Sequence, residues 1–144
     1  MKGTILVIDG MGGGIGVQLI TRLKDILDKD MDTELIALGT NAVATERMVK
    51  AGAHRGATGE NAIKVTAPHG HFILGPIGIV ISNSLMGEIT PVMVEAILAA
   101  PAERILLPLQ HEHFFLAGLE QLPLAKMTDK AVEIFRERLR LLHG

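Results

Sequence analysis

The apolar run Ile5-Leu6-Val7-Ile8 leads directly into Asp9-Gly10-Met11-Gly12-Gly13-Gly14-Ile15-Gly16, and a segment of helical periodicity follows. A continuous apolar run of this length is the kind of strand that a sheet covers on both faces. The helix predicted next begins near Ile15 and ends at Leu27, with Ile15, Leu19, Ile20, Leu23, Ile26 and Leu27 on one stripe. Strand, glycine turn and helix, in that order, is the setting in which a glycine-rich loop binds phosphate. Glycines let the backbone come close to a ligand, and the first amides of a helix face an anion.

The rest of the chain repeats the alternation. A second strand is predicted over 34–38, ending at Gly39-Thr40-Asn41. Asn41 is placed to cap a helix running through Ala51, with Gly52 as its stop. Residues 53–59 read as a short strand and turn, and Thr58 as the cap of a brief helix over 60–66. A further strand covers 72–75. The run Ile79-Val80-Ile81 fits either a strand or a buried helical turn, and the irregular or helical reading is preferred. Thr90-Pro91 starts a helix to about Ala100, a capping hydroxyl followed by proline at the first helical position. Strands over 104–109 and, briefly, 114–117 come next. The last helix is expected to start at Thr128-Asp129 and to bury Val132, Phe135, Leu139 and Leu142. Alternating strands and helices predict an α/β fold, a three-layer doubly wound and mostly parallel sheet, in one domain over 1–144.

Charge and composition narrow the function. A net charge of −2 leaves no electrostatic footprint for nucleic acid, and no Lys/Arg run marks a membrane surface. Val65 to Gly87 carries no charged residue, yet its prolines, polar residues and glycines make a buried strand and ligand-facing loop, not a membrane span. With no cysteine, disulfides, thiol catalysis and Cys-ligated metals are excluded, and a cytoplasmic protein fits. Asp9 and the glycines break the apolar N-terminal run too early for a signal peptide. A hydrophobic fraction of 48% is more than a lone monomer needs and predicts a homo-oligomer.

The glycine spacing is Gly10, Gly14, Gly16, since Ile15 breaks the commoner G-x-G-x-x-G pattern. The loop, with its Gly-Ile-Gly ending, resembles that of the short-chain dehydrogenases. The alternative is a tight strand-to-helix turn without a ligand. The chain holds no tyrosine, so the Tyr-x-x-x-Lys pair of those enzymes is absent. The second strand ends on neutral Thr40-Asn41 where dinucleotide folds offer an acid to the ribose, so NAD and NADP both stay open. Asp9 is either a cap on the loop amides or part of a Mg²⁺-assisted phosphate site.

Other groups are expected at the same sheet edge. By the switch-point rule Gly75-Pro76-Ile77-Gly78 should meet residues 10–16 as a flat wall for a ring. Glu88, the first acid after the uncharged run, is the general acid/base by residue type, against the plainer role of aiding a helix start. His69/His71 and His111/His113 read as solvated loop histidines, and Met11, Met48, Met86 and Met93 as adaptable packing. Arg136, Arg138 and Arg140 read as a solvated helix face.

Three runs, Ile8 to Gly16, Ala37-Leu38-Gly39-Thr40-Asn41-Ala42 continuing to residues 56–62, and residues 75–79 continuing to 87–91, with Asn83 between, resemble a small bacterial family, domain of unknown function 3842. The likeness implies a cytosolic Rossmann-like protein and no particular activity. Thr58, Glu60, Asn61, Asn83 and Thr90 belong to the distinctive runs.

The reading preferred from sequence is a nucleotide-binding protein, for NAD or NADP. Gly10, Gly12, Gly13, Gly14, Ile15 and Gly16 take the phosphates, Thr40/Asn41 the ribose, and Gly75 to Gly78 a ring. A second reading is a small enzyme acting on a phosphorylated or carboxylated metabolite, with Asp9 or Glu88 as acid/base and Mg²⁺ assistance. A third is an oligomeric scaffold without ligand.

Overall fold

A computed structural model describes residues 3–27, 32–109 and 115–143. Five strands, β1 (Gly3–Asp9), β2 (Thr33–Gly39), β3 (Arg55–Thr58), β4 (Phe72–Pro76) and β5 (Glu103–Leu107), alternate with helices α1 (Gly14–Leu27), α2 (Ala42–Ala51), α3 (Glu60–Thr66), α4 (Pro91–Ala99) and α5 (Leu124–His143). The sheet order is β3-β2-β1-β4-β5, and every pairing is parallel. The order reverses between β1 and β4, so loops leaving those strands flank a switch point.

Helices cover both faces, as a parallel sheet requires. Leu19, Ile20 and Leu23 of α1, Ala44 and Met48 of α2, and Val132 and Phe135 of α5 pack against Ile5, Val7, Leu35 and Leu74. On the other face Ile63 of α3 and Met93 and Ile97 of α4 meet Leu6, Ile8, Leu38 and Ile73. The result is the three-layer, Rossmann-like α/β sandwich. Phe72 and Phe135 fasten α5 to the sheet edge-to-face, ring centroids 4.9 Å apart.

The helix caps follow local chemistry. Asn41 Oδ1 accepts the Ala44 amide at 2.9 Å, and Gly52 stops α2 at φ 134°. Thr90 Oγ1 accepts the Met93 amide at 3.2 Å, with Pro91 at the first helical position. Of the ambiguous run, Ile79 and Val80 fall in a 3-10 turn over Ile77–Val80, in line with the irregular or helical reading, and Ile81 leaves it in an extended conformation.

Four expectations need correction. First, α5 starts at Leu124, not at Thr128-Asp129. Thr128 is no cap, because its hydroxyl bonds back to the Leu124 carbonyl within the helix at 2.9 Å. Leu142 is also half exposed and not buried. Second, Phe115 and Leu116 have no strand conformation and Ala117 lies in a turn, while Phe114, His111 and His113 lie outside the described residues. Third, α3 is capped by Gly59 without a side-chain bond, because Thr58 Oγ1 donates instead to Thr45 Oγ1 at 2.7 Å. Fourth, Met48 and Met93 are core residues, but Met11 and Met86 are exposed.

Candidate functional site

Asp9 ends β1 opposite Gly39 and is almost completely buried. Its Oδ1 accepts the Gly10 amide at 2.8 Å and its Oδ2 the Gly16 amide at 2.7 Å. The Ile15 amide bonds it as well. One carboxylate thus gathers amides from both ends of the loop and takes the anion position at the foot of α1. Burial pushes the Asp9 carboxyl above the usual carboxylate range, aided by the charge of Glu88 and opposed by the three amides.

Glu88 reaches the same loop from the other side. Its Oε1 accepts the Met11 amide at 2.8 Å, the Thr40 hydroxyl at 2.5 Å and the Asn41 amide group at 3.0 Å. Partial burial works to raise its pKa, but the Thr40, Met11 and Asn41 bonds prevail and hold the carboxyl below the usual range. Four residues that the sequence placed in the site, Asp9, Thr40, Asn41 and Glu88, are therefore brought together around Gly10 and Met11.

The loop glycines divide into two groups. A side chain at Gly10 would meet Thr40 Oγ1 and Glu88 Oε1, one at Gly16 would meet Met48, and Gly13 combines φ +75° with the Ala44 backbone at 3.0 Å. The fold itself needs these three. Nothing lies within 4 Å of a side chain built at Gly14, and only the Arg47 guanidinium approaches Gly12. Both are exposed, and neither amide has a hydrogen-bond partner among the described residues. Gly12 and Gly14 line a hollow of about 320 Å³ together with residues 9–11, Gly13, Ile15, Gln18, Leu85 and Leu124.

Gly75 to Gly78 do not line this hollow. Leu85 stands between, one methyl 3.0 Å from where a Gly10 side chain would begin and the other 3.7 Å from the equivalent point at Gly78. Ser84 Oγ donates to the Gly78 carbonyl, which ties the loop over 82–88 down onto the 3-10 turn. That loop holds Asn83, Leu85, Met86 and Gly87 at positive φ, a strained path that delivers both Leu85 and Glu88 to the glycine loop. Thr90 and Glu60 pair through their side chains at 2.6 Å at the same sheet end. Asn61 is exposed on α3.

His71 is not simply solvated, since its Nδ1 accepts the Thr4 amide at 3.0 Å at the opposite end of β1. No group of three or more metal-ligating side chains occurs among the described residues. No helix among them is long and apolar enough to cross a membrane. Arg138 and Arg140 are in ion pairs with Glu103 and Glu137.

From sequence Arg47 has no role in the site, since it lies a turn and a half into the second helix. Its guanidinium donates to the Gly12 carbonyl and brings a positive charge to the rim of the loop. Helical spacing held the signal: Arg47 is three residues beyond Ala44, whose small side chain lets α2 pack onto Gly13.

A family model described as Domain of unknown function (DUF3842) matches residues 4–140. No curated protein and no solved structure matches the chain.

Proposed function

The chain belongs to the DUF3842 family, whose description assigns no activity, and from its own geometry we propose that it binds a nucleotide at the glycine loop. One observation carries this reading. Gly12 and Gly14 are glycines for which neither backbone conformation nor packing gives a reason, and their exposed amides are the ones that Asp9 and Glu88 leave unused. A phosphate over these amides meets the first turn of α1, with Arg47 alongside. The hollow of about 320 Å³ is near the lower end of ligand sites, roughly 300–1,000 Å³. It accommodates the phosphate-bearing part of a nucleotide, and an NAD or NADP molecule would extend beyond it along the sheet edge.

Asp9 is given a structural role here. Both its oxygens accept loop amides, which is the capping arrangement. A thermal-shift series with AMP, ADP, NAD and NADP, each with and without Mg²⁺, tests the proposal. A ligand at 100 times its dissociation constant adds ~2.7 kcal/mol of stability. No shift with any of them overturns the reading, and a shift seen only with Mg²⁺ would move the metal back to Asp9.

A further inference from the structure

We propose that Glu88 is the ribose-recognition residue of this site and selects nucleotides with an unmodified 2′-hydroxyl over those carrying a 2′-phosphate. The inference rests on the nucleotide reading and names which ligands it includes.

In dinucleotide-binding sheets the acid that accepts the ribose hydroxyls stands at the end of the second strand, beside the first glycine. Here that strand ends in Gly39-Thr40-Asn41, with no acid in the sequence. The folded chain puts one in the same place. Glu88 Oε1 lies 2.5 Å from Thr40 Oγ1, and 2.7 Å from where a Gly10 side chain would begin. The acid comes from the loop after β4 instead of from β2 itself.

Its bonding pattern fits recognition. All three protein donors, Met11, Thr40 and Asn41, converge on Oε1. Oε2 has no hydrogen-bond partner among the described residues, and Glu88 remains partly exposed. One oxygen fixes the side chain and the other is left to accept a hydroxyl. A hydroxyl can donate to a carboxylate and a phosphate dianion cannot, so the same oxygen that binds a ribose repels its 2′-phosphate. Arg47, the cation at the loop, is bonded to the Gly12 carbonyl on the phosphate side. Thr40 and Asn41 already donate to Glu88, so they serve the ribose indirectly, by holding the carboxylate.

The test is calorimetric titration of the full chain with NAD and NADP, and with AMP and 2′-deoxy-AMP, on the wild type and Glu88→Gln. Gln retains one acceptor oxygen for Met11, Thr40 and Asn41, so the loop stays in place, and puts an uncharged, donating amide group where the free carboxylate oxygen stood. Wild-type protein should favour NAD over NADP by at least about tenfold, since like charges at a binding site cost several kcal/mol. Loss of the 2′-hydroxyl should weaken AMP, and Glu88→Gln should reduce the NAD/NADP preference several-fold while the protein stays folded at neutral pH, with a lower melting temperature from the lost carboxylate bonds. Equal wild-type affinity for NAD and NADP overturns this inference and leaves nucleotide binding standing, as does an unchanged ratio in Glu88→Gln. Binding of none of the four overturns both.

Discussion

The Asp9 carboxylate accepts the Gly16 amide at 2.7 Å, closing a loop that begins with the Gly10 amide on its other oxygen. The two bonds staple the end of β1 to the first turn of α1. An amide stapled to a buried carboxylate is satisfied without water, and so the turn can sit under the core residue Met48.

Removing the staple should be costly. Asp9→Ala strands the Gly10, Ile15 and Gly16 amides in a buried position, and an unsatisfied buried group costs about 1–3 kcal/mol. Asp9→Asn retains one acceptor oxygen and should lose less. Urea unfolding of the two variants measures this, and an Asp9→Ala protein as stable as the wild type would contradict the capping role.

The two carboxylates should respond to acid in opposite senses. Burial leads the causes that raise Asp9 above its ordinary 3.8, so the folded state favours its protonated form. Its contribution to stability is complete below 3.8 and is lost as pH rises through the raised folded value. Glu88 is lowered from 4.5 despite partial desolvation, so its contribution is present above 4.5 and is lost as pH falls through the lowered folded value. Melting temperatures measured from neutral pH to below 4 should thus show Glu88→Gln losing less than the wild type as the solution is acidified. Asp9→Asn should lose more. Parallel profiles for all three proteins would contradict both assignments.

What the sequence made legible was local. The central strands, the Asn41 and Thr90-Pro91 caps and the Gly52 stop depend on neighbouring residues, and the structure has them where the spacing placed them. The misreading of Thr128 has the same cause, because a Thr-Asp pair looks like a helix start whether the hydroxyl caps forward or bonds back to Leu124. The relation of Glu88 to Met11 spans 77 positions, and no periodicity encodes it. Leu85 was invisible for a further reason. It occupies a left-handed conformation, φ 54°, that an apolar residue gives no hint of, and it fills the space expected to join Gly10 to Gly78.

The docking of α5 should depend on one ring. Phe135 is fully buried and meets Phe72 edge-to-face at 4.9 Å and 75°. Phe135→Ala removes that contact and leaves a cavity, for a loss of about 3–5 kcal/mol, whereas Phe135→Leu should lose distinctly less. Chemical denaturation with circular dichroism compares them. A loss below 1 kcal/mol for the alanine variant, on the same order as a surface change, would mean that α5 is held mainly elsewhere.

Gly14→Ala separates folding from ligand binding more cleanly than any other loop change. Nothing lies within 4 Å of the added methyl, the residue begins α1, and its φ is not in the left-handed region. Alanine restricts the unfolded chain and favours helix, so stability should be unchanged or higher by up to about 1 kcal/mol. Gly13→Ala, by contrast, forces an L residue to φ +75° against the Ala44 backbone and should destabilise by about 1–3 kcal/mol. If Gly14 is a glycine for the sake of a ligand, Gly14→Ala keeps its melting temperature and loses most of the thermal shift given by nucleotide. A Gly14→Ala protein that binds nucleotide as the wild type does would remove the main support for placing phosphate over this turn. A destabilised one would mean that the turn needs its glycine for folding after all.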